Sequence, residues 1–226
     1  MSVISARLLS ILIGYAFGLF QTAYFVGKAR GVDIRTLGSG NSGTTNALRN
    51  FGKKAGFIVL VGDILKCVFA IVCVNIIFGN EFAAILPLLD IYAGAGTIVG
   101  HCFPVYMQFR GGKGVACFGG LVIAAAWPLA ILGTIVFLAC MFGTKYVSLG
   151  SLLGSLSVFI GSIVIGQLGF FHMTQGALIE LYFIIFLMVA LIWFQHRANI
   201  KRLLSGKERK TYVFSSKNET GKKAKS

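Results

Sequence analysis

Apolar runs of membrane-spanning length recur through this chain to about residue 194, and no other feature limits its fold as strongly. Hydrocarbon about 30 Å thick is crossed by a helix of about 20 apolar residues, and only helices and closed barrels satisfy their backbones there. The runs cover residues 2–26, 57–78, 82–107, about a dozen residues from 115 to 127, a return to Lys145, then 152–166 and 177–194. They predict an all-α integral membrane protein with about seven transmembrane helices. With 56% apolar residues, 12% charged residues and a mean hydropathy of +0.82, a soluble domain of 226 residues is excluded. The first run has no basic leader and no small-residue cleavage site, so it reads as a first spanning helix and not as a removable signal. The segments on either side of Trp127-Pro128 are short, and fit either half-buried helices or a thinned bilayer.

Charge orients the spans. Of the 21 Lys and Arg residues, nineteen fall on one side of this topology and only Arg7 and Lys66 do not. The positive-inside rule then places the N-terminus outside and the C-terminus in the cytoplasm. The chain divides into a polytopic unit of residues 1–208 and a basic tail of residues 209–226, suited to an anionic inner leaflet. The expected surroundings are membrane lipid, with no nucleic-acid partner.

Cys67, Cys73, Cys102, Cys117 and Cys140 are scattered through apolar runs without a CxxC pair, which fits buried thiols and neither a zinc site nor a disulfide framework. The seven acidic residues, Asp33, Asp63, Glu81, Asp90, Glu180, Glu208 and Glu219, include no two within a helical turn of each other. Convergent carboxylates for magnesium or calcium are therefore not expected. No metal and no cofactor enter the reading. Asp63 and Lys66, three residues apart inside the second run, read as a structural ion pair.

Chemistry concentrates in the loops. His101 to Ala116 reads H-C-F-P-V-Y-M-Q-F-R-G-G-K-G-V-A and places Arg110, Gly111, Gly112, Lys113 and Gly114 between two apolar runs. Several backbone N–H groups and two cations can converge there on a small anion. A Walker loop needs Gly six residues before the lysine and Ser or Thr after it, and those places hold Met107 and Gly114, so this is not a Walker nucleotide site. The plainer alternative is a glycine-rich turn with snorkelling cations.

The first loop carries G-S-G-N-S-G-T-T-N at residues 38–46, with Arg49 beyond it. It matches G-x-G-x-x-G, and Asp63 follows at the distance of a ribose-binding acid. A dinucleotide fold nevertheless needs a strand before the glycines and a soluble βαβ unit around them, and both are missing between two membrane runs. What remains is a helix start that Ser42, Thr44 and Thr45 can cap, with Arg49 projecting from its first turns as part of a second anion site. An inner turn at residues 145–151 offers Ser148 and Ser151. After the last run, His196 and Asn199 share a helical face at the inner boundary.

G-S-G-N-S-G-T-T-N, the run from His101 to Ala116, and H-R-A-N-I-K-R-L-L-S-G-K-E at residues 196–208 resemble the three motifs of the bacterial acyl-phosphate-dependent glycerol-3-phosphate acyltransferase family, the PlsY family. Order and spacing agree over most of the chain to about Glu208. The departures are Cys67 in place of a small residue, Gln195 in place of a basic one, and Gln21 where the first helix often has proline. The resemblance implies an enzyme of the bacterial inner membrane, with its active site on the cytoplasmic face. It would move a fatty acyl group from acyl phosphate to the 1-hydroxyl of glycerol 3-phosphate, giving lysophosphatidic acid and inorganic phosphate. Functional coupling to an acyl-phosphate-producing enzyme would follow.

Carried onto this chain, the resemblance implies catalytic roles for Lys113, Ser39 and Arg49. Acyl phosphate would sit on Gly111, Gly112, Lys113, Gly114, Val115 and Ala116. Glycerol 3-phosphate would be held by Ser39, Arg49, Lys113, Ser151, His196 and Asn199. Because acyl phosphate is already activated, the protein has to supply positioning and charge neutralisation. A transporter of a phosphorylated metabolite is the rival reading, and it would want an inverted internal repeat and chemistry near the midplane. Neither is visible in the sequence.

Overall fold

A computed structural model describes residues 1–211 of the chain, and every regular element among them is helical. The order is α1 (Val3–Gly18), α2 (Thr22–Lys28), α3 (Thr44–Phe78), α4 (Leu86–Cys102), α5 (Val115–Ala125), α6 (Trp127–Thr144), α7 (Val147–Gln167), α8 (Gln175–Gln195) and α9 (Arg197–Leu204), with short 3₁₀ turns at Ile34–Thr36, Ala83–Ile85 and Val105–Met107. Six segments are long and apolar enough to cross a membrane: Val3–Lys28, Thr44–Phe78, Ala83–Met107, Trp127–Thr144, Val147–Gln167 and Gln175–Gln195. Helix α5, the short segment expected from the sequence, has 11 residues. At about 1.5 Å per residue it covers only about half of a hydrocarbon core. Residues 212–226, most of the expected basic tail, lie outside the described residues.

Three boundaries differ from the sequence reading. The first span is not one helix: it breaks between Gly18 and Thr22. Buried Gln21 bridges the break, its side-chain amide donating to Gly18 O at 3.1 Å and to His101 O at 3.1 Å. The second helix starts at Thr44, well before the apolar run at residue 57, and turns at Gly52, whose φ of 84° is open to glycine. Its N-cap is Gly43 and no side chain caps it, so the hydroxyls of Ser42, Thr44 and Thr45 do not play the expected part. Finally, α7 begins at Val147, which puts Ser148 and Ser151 in its first turns and not in a loop. Ser151 spends its hydroxyl on Val147 O at 2.9 Å.

In lipid the hydrophobic effect does not draw helices together, so close packing has to. Helices α1 and α4 run in the same direction and cross on small residues, Gly14 and Gly18 on one, Gly96 and Gly100 on the other. A Cβ on Gly96 would strike the backbone of Ile11 and Tyr15, and one on Gly14 the backbone of Ala93 and Thr97. Around this crossing lies a core that includes Leu88, Leu89, Ile98, Leu121, Leu181 and Ile192. Large apolar side chains such as Ile76, Phe57 and Phe183 face outward, as a lipid-facing surface requires.

The two ends of the bundle are polar in different ways. At one end Arg7 pairs with Glu180 at 2.6 Å, Tyr92 donates to the same carboxylate at 2.5 Å, and the terminal amine meets Glu81. At the other end gather the loops with the motif residues. We expect Gly96→Val to destabilise the protein by more than the about 1–3 kcal/mol usual for overpacking, because backbone atoms cannot move aside. Thermal unfolding in detergent checks this against Gly119→Val, where the added Cβ has nothing within 4 Å.

Candidate active site

The loop from α4 to α5 is folded back on the end of α4. Gln108 and Phe109 take left-handed backbone (φ 57° and 58°) and reverse the chain. Gly111 N–H then donates to Cys102 O at 3.1 Å, and Gly112 N–H to His101 O at 3.0 Å. Both positions need glycine for close approach, since a Cβ on Gly111 would strike His101 O and one on Gly112 the His101 ring. Their N–H groups, expected to face a ligand, are thus turned toward α4. Gly114, at φ 83°, opens α5, and no side chain caps that helix. The first N–H groups of a helix have no intrahelical acceptor. Val115 and Ala116 therefore bring donors, with the positive end of the helix dipole, to the side where Lys113 stands.

The first loop is organised by a residue that the sequence did not single out. Asn46, 3% exposed, donates to Ile34 O, Leu37 O and Asn41 O at 3.0–3.2 Å, while its Oδ1 accepts from Ser39 N–H at 3.1 Å. The loop is thereby wrapped around one buried amide. Arg35 ties it to the neighbouring loop, pairing with Asp33 at 2.7 Å and donating to Met107 O at 3.1 Å. Ser39 is exposed, and its hydroxyl makes no hydrogen bond to any described residue.

The third motif closes the site. Lys113 Nζ donates to Asn199 Oδ1. Asn199 Nδ2 donates to Glu208 Oε1 at 2.6 Å, Ser148 Oγ to the same oxygen at 2.9 Å, and Arg202 Nε to Oε2 at 2.7 Å. Residues 205–211 form a strap: Thr211 N–H donates to Lys145 O at 2.9 Å, and Arg49 reaches Thr211 Oγ1 at 2.5 Å and Arg209 O at 3.2 Å. In the sequence Glu208 is an isolated acid. Its one signal was its place in the polar run after His196.

Burial sets the charges. The Lys113 ammonium is pulled down to about 8, first by desolvation and then by Arg202 and Arg49, with Glu208 opposing. His196 is lowered to about 4 by desolvation and by the Lys113 charge. Burial pushes Glu208 up, but hydrogen bonds from Asn199, Arg202 and Ser148 outweigh it and hold the carboxyl below the ordinary glutamate range. His196 Nδ1 lies 2.8 Å from Ile192 O, a carbonyl that can only accept, so Nδ1 carries the proton and Nε2 of the neutral ring is an acceptor. The site thus joins cations, helix N–H donors and one imidazole acceptor.

Residues 8–206 match the family model described as glycerol-3-phosphate acyltransferase. The chain belongs to the glycerol-3-phosphate acyltransferase family. Curated relatives of that name include one from Clostridioides difficile (strain 630), 40% identical over 204 residues that cover 88% of this chain and 92% of the relative. Another, from Thermoanaerobacter sp. (strain X514), is 38% identical over 203 residues, covering 89% and 94%. Among solved structures, the glycerol 3-phosphate form of PlsY (YgiH), an integral membrane glycerol 3-phosphate acyltransferase, is 32% identical with a TM-score of 0.79, covering 92% of this chain and 96% of that one. Its lysophosphatidic acid form gives a TM-score of 0.76 at the same identity and coverage. Membership makes the chain an acyltransferase, and the all-α membrane fold is the one expected.

Within this acyltransferase, Lys113 and Asn199 are in contact, His196 lies within reach of the Lys113 charge, and Arg49 reaches the strap that carries Glu208. Ser151, one turn beyond Ser148 on α7, is buried; Ser39 is the member whose side chain stands apart. The folded pKa of His196 lies below the unfolded value of about 6.5, so its neutral form favours the fold. That stabilisation is complete above about pH 6.5 and is lost as pH falls through 4, about 1.4 kcal/mol per pH unit in between. We therefore expect His196→Gln to lose less stability than the parent between pH 7 and pH 4.5 in detergent melts. Equal acid losses would contradict the buried neutral ring.

Proposed function

We propose that this acyltransferase moves a fatty acyl group from acyl phosphate to the 1-hydroxyl of sn-glycerol 3-phosphate, giving lysophosphatidic acid and inorganic phosphate, the first acylation of phospholipid biosynthesis. The observation that carries this is the convergence of Lys113, Asn199 and His196, from two separate motifs, beside the uncapped start of α5. The solved relative known in glycerol 3-phosphate and lysophosphatidic acid forms supports the same substrate and product.

In this mechanism Lys113 and the N–H groups of Val115 and Ala116 take the phosphate of the donor, with Gly111, Gly112 and Gly114 shaping the loop. Arg49, Ser39 and Asn199 hold the phosphate of the acceptor, Ser151 joins them by turning its hydroxyl away from Val147 O, and Lys113 lies between the two anions. The 1-hydroxyl oxygen attacks the carbonyl carbon, and the carbon–oxygen bond to phosphate breaks as the tetrahedral intermediate collapses. His196 Nε2 accepts a hydrogen bond from the hydroxyl and aligns it. At a pKa of about 4 it is a poor base near neutrality. A phosphate oxygen of the donor takes the proton and leaves with it. Acyl phosphate is the donor because the cradle of Lys113 and the first N–H groups of α5 suits a small dianion.

The site faces the cytoplasm from the bacterial inner membrane, where nineteen of the 21 Lys and Arg residues are assigned, and an acyl-phosphate-producing enzyme is the functional partner. The test is to give purified protein glycerol 3-phosphate with either acyl phosphate or acyl-CoA and to measure lysophosphatidic acid. Only acyl phosphate should react; comparable rates from both donors would overturn the donor assignment.

Lys113→Ala should lower kcat/KM at least about a hundredfold, the loss expected when a charge-assisted contact is removed from a dry site. For the parent, kcat/KM should fall as pH rises through about 8, where Lys113 loses its proton in the free enzyme. Any activity left in Lys113→Arg should lack that alkaline limb, since guanidinium stays charged. A limb that persists belongs to another group.

A further inference from the structure

Beneath the cradle lies a polar cluster that the mechanism above does not use. Asp63, Lys66 and His101 are 1%, 4% and 3% exposed, inside apolar segments. Lys66 Nζ lies 3.0 Å from Asp63 Oδ1, 2.8 Å from Phe20 O and 2.8 Å from His101 Nδ1. Thr22 adds a hydrogen bond of 3.1 Å to the same Asp63 oxygen. An ammonium has three N–H groups, and here each has one partner. Carboxylate and carbonyl oxygens only accept, so the third N–H meets the lone pair of Nδ1, and the neutral imidazole carries its proton on Nε2. His101 is thus held in the tautomer opposite to that of His196.

The ring's far edge is in the active-site loop. A Cβ on Gly112 would collide with His101 Nε2, and the His101 carbonyl accepts the Gly112 N–H at 3.0 Å. Gly112 is gripped from both sides by one residue and is followed directly by Lys113. The Asp63–Lys66 pair alone would neutralise the charge, as the sequence suggested. Two further features go beyond that: the break in the first span that releases Phe20 O to Lys66, and the contact of Lys66 with a histidine braced on Gly112.

We propose that Asp63, Lys66 and His101 form a positioning relay for the anion cradle, in which Lys66 fixes the His101 ring and the ring's Nε2 edge sets Gly112 and, through it, the place of Lys113. The kinetic part of its test rests on the acyl-transfer reading; the spectroscopic part does not.

Asparagine keeps an acceptor near Nδ1 for Lys66 but leaves the Gly112 side empty, whereas glutamine extends to the position of Nε2. His101→Asn should melt close to the parent yet lose about a hundredfold in kcat, the scale of a 1 Å misplacement, while KM for glycerol 3-phosphate changes little. His101→Gln should keep at least about a tenth of kcat. An Asn variant with the parent's kcat, or one more active than the Gln variant, would reduce His101 to a partner for the ion pair and sink the proposal.

Should the variants not fold, the ¹⁵N spectrum of the parent's three histidines decides. His101 should appear as the Nε2–H tautomer, and its ring signals should shift when inorganic phosphate is added, while those of His172, past the far end of α7, stay put. His101 signals that ignore phosphate, or a ring protonated on Nδ1, overturn the relay. Failure of acyl transfer in the parent with His101 still responding would defeat the proposed reaction and leave the relay standing.

Discussion

The carboxylate of Glu208 gathers three donors from two helices, Ser148 on α7 and Asn199 and Arg202 on α9, and lies within the field of Lys113 and Arg49. Without an anion, cations this close would repel one another in a partly dry environment, where screening is weak. Two of its donors are in turn held to other parts of the site: Asn199 to Lys113, and Ser148 by its place on α7 one turn before Ser151. The geometry assigned to substrate phosphate thus depends on a side chain that binds none. A negative charge already resident among these cations also limits their net pull on any anion that enters.

At the opposite scale, the close crossing of α1 and α4 fixes where the cradle begins. Because Gly14, Gly18, Gly96 and Gly100 let two backbones touch, the end of α4 is brought to the break in the first span, where Gln21 reaches His101 O. That carbonyl also receives Gly112 N–H. Helix packing deep in the bundle is therefore linked by two hydrogen bonds to the loop that holds Lys113.

Much of this was legible in the sequence for definite reasons. Hydropathy announces spans because lipid tolerates no unsatisfied backbone, and the short helix after Gly114 could be read from the distance to Trp127-Pro128. The motif residues Lys113, Asn199 and His196 could be picked out because polar groups at the edge of apolar runs are conspicuous. Hidden were the relations that exist only after folding. Glu208 looks solitary until the strap turns back. Gly111 and Gly112 give their N–H groups to the end of α4 beside them, and the start of α3 at Gly43 does without the hydroxyl cap that its neighbours offer. Asn46 could not be told from its neighbours in a run of small polar residues, because four of its five side-chain hydrogen-bond partners arrive from a loop whose path no local propensity encodes.

The strap also has a temporal side. Ribosomes deliver a chain from its first residue onward, and the membrane helices up to α8 are complete before residues 205–211 exist. Through that interval Arg49, Lys113 and Arg202 lack the carboxylate that later lies among them, and their mutual repulsion goes unrelieved. Arrival of Glu208 and Thr211 supplies that carboxylate and ties a late-made segment to Arg49 in the first turns of α3, a clasp that closes after the spans it joins.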